Sequence, residues 1–314
     1  MQSTITPFSD VELDLPDRRV GKVRVSYELE GNRRLFVTTD RLSAFDRIVA
    51  HVPYKGQVLN QLAAWWFNHV SDIVDNHVIS LPDPNALIAH AANPLPVEVI
   101  VRGYITGVTS TSLWRKYTDG ARTIYGYEFP DGLAKNTALP HAIITPTTKA
   151  EHGTHDEALA CADVVNHGLV DAKLWDRVQT AALAIFARGQ KIAAQAGLIL
   201  ADTKYEFGLG PHGQLMIIDE MHTPDSSRFW VAETYNERLA TGADPESFDK
   251  EPIRQALAAI GYSGDGTPPD LGPDVWAETS RRYITAFEML TGNAFDPGEY
   301  PVGPRLAANV AGMR

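Results

Sequence analysis

The sequence predicts an α+β protein in which antiparallel sheets, formed mainly from hairpins, lie beside grouped helices. Pairs of strand-like runs joined by turn residues occur at 20–39 and 198–221. Segments with helical spacing of apolar residues stand outside these pairs, at 61–70, 171–196, 248–260 and 275–290. The chain has 314 residues, of which 44% are hydrophobic. Because a single core stops growing at about this length, we expect two lobes.

The first lobe is predicted to be rich in strands. Residues 20–29 and 34–39 read as two strands joined by a turn at 30–33, and a helix follows at 61–70. Four prolines precede the next buried strand, 97–103, and they place a lobe boundary near residue 95. We therefore expect a β-rich lobe over residues 1–95.

The second, larger lobe is predicted over residues 96–297. Apolar residues recur at helical spacing from 171 to 196, and Gly197 ends this helix. Two further helices, 248–260 and 275–290, are separated by a loop rich in Gly, Pro and Asp. Residues 298–314 are expected to form a poorly ordered tail.

The hairpin at 198–221 places charged side chains among apolar ones. Because side chains alternate along a strand, Asp202, Lys204 and Glu206 share one face. If residues 210–213 form a four-residue loop, Lys204 lies opposite Asp219, Glu206 opposite Ile217 and Leu209 opposite Gln214. A slip of one residue would pair Thr203 with Asp219 and turn Asp219 toward the apolar side.

Ionised groups in apolar surroundings are costly unless they hold a metal, a phosphate or each other. The three acids and one lysine that converge in this register suit Mg²⁺ and a polyphosphate, so an ATP-dependent transfer is the first expectation. A solvated, salt-bridged face is the alternative, and the apolar run 215–218 argues against it. The G-x-G-x-x-G pattern at 208–213 is interpreted as a turn, because a strand follows it where a dinucleotide site needs a helix.

Other polar patterns suit anions. Gly21 permits close approach of a backbone to a phosphate and Lys22 supplies charge. Arg102 and the hydroxyl-rich residues 108–112 suit a phosphomonoester, and Arg228 follows the acidic hairpin closely enough to hold a second anion. The histidines in residues 151–157 are better explained by a helix N-terminus than by a zinc site, because no third ligand lies near.

The overall composition narrows the function classes. The net charge is −11 without a block of like charge, which disfavours nucleic acid as a partner. Cys161 is the only cysteine and allows no internal disulfide. The first ten residues lack the features of a signal peptide, and no run approaches 18 apolar residues. We expect a cytoplasmic protein without a membrane partner.

Seven motifs in order resemble the phosphoribosylaminoimidazole-succinocarboxamide synthase (SAICAR synthetase) family, in its longer, yeast-like form. They lie at residues 21–24, 40–46, 102–107, 148–156, 200–207, 219–220 and 224–230. The resemblance implies a two-lobed ATP-binding fold with ATP in the cleft between the lobes. It also implies an ATP- and Mg²⁺-dependent carboxylate–amine ligase. This enzyme joins L-aspartate to carboxyaminoimidazole ribonucleotide (CAIR) through an acyl phosphate, giving SAICAR, ADP and phosphate in purine synthesis.

For ATP and metal, the resemblance implies roles along both lobes. Gly21, Lys22 and Arg24 would cover the ATP phosphates, and the backbone from Glu98 to Val101 would meet adenine. The catalytic set would be Lys204, Glu206 and Asp219, of which Glu206 and Asp219 hold magnesium. Asp202 would be a supporting acid at the nucleotide.

For the other substrates, the resemblance implies a cradle for the ribonucleotide 5′-phosphate made by Arg102, Arg228 and either Ser110 or Ser112. Asp225 and Ser227 belong to the same substrate-binding set. The imidazole and amino acid end would meet Ser43, Asp46 and Asp156.

The chain departs from the family pattern where Val25 replaces a common aspartate. Two rival functions stay open. A small-molecule kinase of a related two-lobed fold would share the acidic hairpin without needing Arg102, Arg228 and the hydroxyl loop together. A non-enzymatic nucleotide-binding module would not need the full acidic set.

Overall fold

The computed structural model describes residues 5–45, 47–149 and 157–313, which form sixteen strands and eight helices. The α+β class predicted from the sequence is confirmed. The elements run in this order: β1 (Arg19–Val20), β2 (Arg24–Leu29), β3 (Arg33–Thr38), β4 (Arg41–Ala44), β5 (Arg47–His51), α1 (Lys55–His69), β6 (Asp75–Asn76), β7 (Val78–Asp83), β8 (Ala86–His90), β9 (Asn93–Tyr104), α2 (Leu113–Thr118), β10 (Thr123–Ile124), β11 (Tyr127–Glu128), β12 (Ala138–Ile144), β13 (Thr147–Thr148), α3 (Cys161–Asn166), α4 (Ala172–Gln195), β14 (Leu198–Leu209), β15 (Leu215–Ile218), β16 (Ser227–Val231), α5 (Ala232–Thr241), α6 (Glu251–Ala259), α7 (Pro273–Thr291) and α8 (Val302–Asn309).

The first sheet has five strands in the order β1-β2-β3-β8-β7, all antiparallel to their neighbours. The strand predicted over 20–29 is divided in two. Val20 pairs with Val25, and the Gly21 amide donates to the Arg24 carbonyl at 2.8 Å, so residues 21–23 form a turn between β1 and β2. The glycine motif therefore lies at the tip of a hairpin instead of inside a strand.

The second sheet follows the order β12-β9-β14-β15-β6, with β13 added beside β9 and β16 beside β14. Strand β14 lies at its centre and pairs antiparallel with β9, β15 and β16. Helix α4 packs on one face through a buried stripe that includes Val178, Ile185 and Phe186. The sequence predicted this helix within one residue, because Asp171 caps its start and Gly197 follows its end.

The predicted register of the acidic hairpin is wrong by one residue. Leu209 pairs with Leu215 and Glu206 with Ile218, so the loop has five residues, 210–214. Gln214 closes this loop, because its carbonyl accepts from the Gly210 amide and its side chain accepts from the His212 amide, both at 2.9 Å. The turn predicted in place of a dinucleotide site is present.

The predicted disordered tail is also wrong in its described part. Helix α8 packs Val302, Leu306 and Val310 into the core beneath the first sheet. Its Arg305 holds the buried carboxylate of Asp83 through two contacts, at 3.0 and 2.9 Å. The C-terminal segment is thus part of the first sheet's core.

Several elements begin away from their predicted limits. Helix α1 starts six residues earlier than predicted, and its first turn is buried, with Gly56 close to Thr38 of β3. Strands β4 and β5, residues 41–44 and 47–51, pair as an antiparallel hairpin. Among the described residues, no helix combines the length and apolar character needed to cross a membrane.

Candidate active site

Asp219 lies one residue beyond β15 and is left-handed, with φ +68°. This conformation is uncommon for a residue with a side chain and occurs at turns and functional sites. Because of this conformation, the Asp219 side chain does not follow the alternating directions of the side chains in β15. The carboxylate forms an ion pair with Arg24 and lies 3.9 Å from the Lys204 ammonium.

Lys204 gathers the acidic side chains that the sequence placed on one face. Its ammonium donates to Glu98 at 3.0 Å and to Glu206 at 2.7 Å. The second oxygen of Glu206 accepts from Lys149 at 2.5 Å. Burial works against the charged form of Lys204, but the carboxylates of Glu206, Glu98 and Asp219 raise its pKa well above the usual range. We call Lys204, Glu98, Glu206 and Asp219 the acidic cluster.

Within the acidic cluster, Asp219 is ionised at neutral pH. Burial alone would raise the pKa of Asp219, but Arg24 and Lys204 outweigh it and lower this pKa to about 2. Arg24 also lies 3.3 Å from Glu220, which the sequence analysis left without a role. Burial raises the pKa of the Glu220 carboxyl.

Arg24 brings the tip of the first sheet onto the second. It begins β2, directly after the turn of Gly21 and Lys22. Val25, at the position of the family's common aspartate, is fully buried in the core of the first sheet. An acid there would be desolvated without a partner among these apolar neighbours, so the valine is a core residue.

A second group of charges lines a cavity of about 210 Å³ beside the acidic cluster. We call it the basic cavity, because five basic side chains outnumber three acidic ones. Its charged lining residues are Arg102, Lys204, Arg228, Lys250, Arg254, Asp202, Asp225 and Asp249. Excess positive charge in a concave, partly desolvated site favours an anionic ligand.

Asp202 connects two of these arginines. Its Oδ2 atom accepts from Arg228 at 2.6 Å and from Arg102 at 3.3 Å. Strand pairing explains this, because Asp202 lies opposite Arg102 on β9 and opposite Arg228 on β16. The structure thus places Asp202 in the basic cavity, two residues from Lys204.

The structure separates the two serines that the sequence left as alternatives. Ser112 is buried in the lining of the basic cavity, where its hydroxyl bonds the Thr109 hydroxyl at 2.7 Å. Ser110 is exposed and lines a different, open surface depression. Gly107 makes room for this arrangement, because a Cβ there would lie 2.4 Å from the Ser112 hydroxyl and 3.2 Å from Arg228.

Asp225 is fully engaged by protein groups. Its Oδ2 accepts from Lys55 at 2.8 Å and lies 3.4 Å from the Lys250 ammonium, and its Oδ1 accepts from the Tyr283 hydroxyl at 2.6 Å. Burial opposes ionisation, but Lys250 and Lys55 keep the pKa of Asp225 well below its usual range. Ser227 donates to the hydroxyl of Thr203 at 2.8 Å in the same wall.

The remaining predicted residues fall in three groups. Val101 is buried in the core of the second sheet, three residues after Glu98 on β9. Ser43 lies half-buried in β4. Asp46 and Asp156 lie outside the described residues, as do the histidines at 152 and 155.

Sequence reasoning missed several charged residues of these sites: Lys55, Lys149, Glu220, Asp249, Lys250 and Arg254. The run Asp249-Lys250-Glu251 was visible as a charged cluster in the first turn of the helix predicted over 248–260, and a helix N-terminus is a place where ligands often bind. Burial raises the pKa of Asp249 to about 6. Lys55 carried no such signal, because its partner is 170 residues away.

Comparison with known proteins gives a consistent result. The sequence profile of SAICAR synthetase matches residues 18–269. The chain is 45% identical over 311 residues to the phosphoribosylaminoimidazole-succinocarboxamide synthase of Legionella pneumophila (strain Lens), covering 97% of this chain and 98% of that protein. It is 43% identical over 300 residues to the chloroplastic phosphoribosylaminoimidazole-succinocarboxamide synthase of Arabidopsis thaliana, covering 95% of this chain and 72% of that protein.

The fold is also similar to that of a solved structure. The SAICAR synthase of Saccharomyces cerevisiae, determined in complex with SAICAR, is 33% identical with a TM-score of 0.79. The alignment covers 92% of this chain and 99% of the yeast protein. The resemblance stated from the motifs is confirmed, and the chain belongs to the SAICAR synthetase family.

Proposed function

We propose that this chain joins L-aspartate to the carboxylate of CAIR with consumption of ATP, giving SAICAR, ADP and phosphate. One observation carries the proposal beyond family membership. Lys204 lines the basic cavity and also belongs to the acidic cluster, where it contacts Glu206 and Asp219. A site for a phosphomonoester and a site for metal and polyphosphate therefore meet at this side chain. A ligase that activates a phosphorylated substrate with ATP needs these two sites side by side.

The acidic cluster is proposed to hold Mg²⁺ and the ATP phosphates. No group of three or more metal-ligating side chains is preassembled among the described residues. Mg²⁺ usually takes one or two carboxylates with waters and phosphate oxygens, so the carboxylates of Glu206 and Asp219 on either side of Lys204 fit it. The ion would neutralise charge on the transferring phosphoryl group.

The hairpin tip of Gly21, Lys22 and Arg24 is proposed to cover the ATP phosphates. Its support is the contact of Arg24 with Asp219 and Glu220, which brings the tip to the acidic cluster. Adenine is proposed to meet the β9 backbone from Glu98 to Val101, in a cleft between lobes of residues 1–95 and 96–297.

The basic cavity is proposed to bind the 5′-phosphate of CAIR through Arg102, Arg228 and Ser112. Bidentate guanidinium groups and a hydroxyl match phosphate geometry. Ser43, Asp46 and Asp156 are proposed to lie toward the imidazole and amino acid end. Asp225 is proposed to support this site indirectly, because its oxygens already have protein partners.

The reaction then proceeds in two steps. A carboxylate oxygen of CAIR takes the γ-phosphoryl group of ATP, which forms an acyl phosphate and releases ADP. The aspartate amine attacks the acyl carbon, the new C–N bond forms, and the C–O bond to phosphate breaks as the amine loses a proton. Lys204, between the two sites, stabilises negative charge on the transferred group.

The test is a product analysis with purified protein, ATP, Mg²⁺, CAIR and L-aspartate. SAICAR, ADP and phosphate are expected in equal amounts, and none should accumulate when L-aspartate is omitted and a simple alcohol is supplied. ADP formation with an alcohol acceptor but without SAICAR would instead support the kinase. Binding of ATP without any turnover would support the non-enzymatic module.

A further inference from the structure

Lys55 is a lysine without solvent exposure, at the first position of α1. Its ammonium donates to Asp225 at 2.8 Å and lies 5.9 Å from the centre of the Tyr283 ring. Burying both members of an ion pair costs desolvation that their attraction often fails to offset. A buried pair is therefore weak support for stability, and its position beside the basic cavity points to a role in the site.

Asp225 shares its charge unequally between two lysines. The Lys55 ammonium is 2.8 Å from Oδ2, whereas the Lys250 ammonium is 3.4 Å from the same atom. Lys250 lines the basic cavity, and Lys55 does not. Because Lys55 is the closer partner, Lys250 keeps more of its capacity to bind an anion in the cavity.

The backbone around Lys55 is fixed against the first sheet. The Gly56 amide donates to the buried carboxylate of Asp40 at 3.0 Å, and the Tyr300 hydroxyl donates to the other oxygen of Asp40 at 2.7 Å. A Cβ at Gly56 would lie 2.4 Å from the Thr38 carbonyl oxygen, so the helix start approaches the sheet as closely as the chain allows. The backbone that carries Lys55 is thus held by a hydrogen bond and by close packing.

We propose that Lys55 is a positioning residue for the ribonucleotide site: it holds the Asp225 carboxylate so that Lys250 faces the ligand of the basic cavity. The inference rests on the proposed function, which supplies a phosphorylated ligand. Without Lys55, Asp225 has only one lysine to bind, and Lys250 closes onto it and withdraws from the cavity. Lys55 therefore acts through Asp225 and touches no substrate.

The experiment compares Lys55→Met, Asp225→Asn and the double variant. The KM for CAIR should rise about tenfold in Lys55→Met, as expected for a lost charge-assisted contact, while the KM for ATP changes less than about twofold. In the Asp225→Asn background the same substitution should have no further effect on the KM for CAIR, because the group through which Lys55 acts is already neutral. Lys55→Arg, which keeps the charge, should restore part of the affinity.

Arg188→Met is the matched control, because it removes a cation from an exposed ion pair with Asp72 on the outer surface of α4. It should leave both KM values unchanged. Equal rises in both KM values for Lys55→Met, or an undiminished effect in the Asp225→Asn background, would overturn the inference. If Lys55→Met does not fold, Lys55→Gln is compared in the same two backgrounds.

The outcomes separate this inference from the proposed function. Wild-type protein that binds CAIR and forms no SAICAR would contradict the proposed function, and calorimetric binding of CAIR to the variants would still test Lys55. Wild-type turnover with an unchanged KM for CAIR in Lys55→Met would contradict only the inference.

Discussion

Replacing Gly107 by alanine tests whether the loop before α2 shapes the phosphate site. Gly107 has φ +92°, and a Cβ there would lie 2.4 Å from the Ser112 hydroxyl and 2.7 Å from the Ser112 Cβ. Carbon atoms in contact prefer about 3.5–4.0 Å, so Ser112 must retreat by about 1 Å. Because the Ser112 Cβ is one bond from the main chain, rotation of the side chain cannot relieve this contact.

The expected size follows from what Ser112 is proposed to bind. A hydrogen bond to a charged group contributes about 1.5–3 kcal/mol, which corresponds to about 10- to 150-fold in affinity. We expect the KM for CAIR to rise within this range in Gly107→Ala. The KM for ATP should change little, because the ATP phosphates are proposed to lie at the acidic cluster.

Gly132→Ala is the matched control. Gly132 has φ +82°, and no atom of the described residues lies within 4 Å of the point that an added Cβ would occupy. Both variants carry the same backbone strain of about 1–2 kcal/mol, and Gly107→Ala should lose further stability because Ser112 is displaced. Steady-state kinetics with each substrate varied, together with urea unfolding, give the two readouts. An equal rise in the KM for CAIR in both variants, or no rise in either, would refute the reasoning.

Three other predictions follow. Asp219→Asn should lower turnover at least about 100-fold in a variant that still folds but is less stable, because Arg24 loses its ion-pair partner. A normal initial rate across magnesium concentrations would contradict the proposed role of Asp219. His77 and His222 are buried with pKa values lowered by desolvation to about 4 and about 3, so the unfolded state binds protons first and stability falls as pH decreases below about 6.5. In this pH range each histidine should lower the free energy of unfolding by about 1.4 kcal/mol for every unit that the pH decreases. Urea unfolding between pH 6 and 4 should therefore show a weaker pH dependence in His222→Gln than in the wild type. Deleting residues 298–314 should lower the free energy of unfolding by about 5 kcal/mol, because three apolar side chains of this segment are buried. An unchanged unfolding midpoint would contradict the packing of α8.

Local chemistry explains what the sequence predicted well. Helix α4 carries its own cap and stop, so its limits needed no knowledge of the rest of the chain. The charges of β14 fall on one face because alternation is a property of any strand. The motifs for phosphate and metal are likewise short runs of the chain.

The errors arise where one residue changes a turn. Gln214 adds a residue to the loop and shifts the register, which by alternation alone would move Asp219 away from Lys204. The left-handed conformation of Asp219 restores the approach, because the residue has left the strand before its side chain is oriented. Two local features that oppose each other cannot be recognised from a pattern of alternating residues.

The other errors arise from contacts between distant parts of the chain. Lys55 reaches Asp225 across 170 residues, and Arg305 reaches Asp83 across 222. In sequence each of these residues reads as a surface charge, which is the common state of such side chains. Only the fold shows that they are paired and largely shielded from solvent.

These distant pairs also explain how one strand serves two sites. Asp202 and Lys204 lie on the same face of β14, only two residues apart, yet one belongs to the basic cavity alone and the other to both sites. Arg102 and Arg228 on the flanking strands engage Asp202 from both sides, while Glu98 and Glu206 engage Lys204. Strand pairing therefore fixes a distance of two residues between the proposed phosphate and metal sites. In the proposed reaction a phosphoryl group passes from nucleotide to carboxylate beside Lys204, which requires a rigid spacing of the two sites. The central position of β14, paired on both sides, supplies that rigidity.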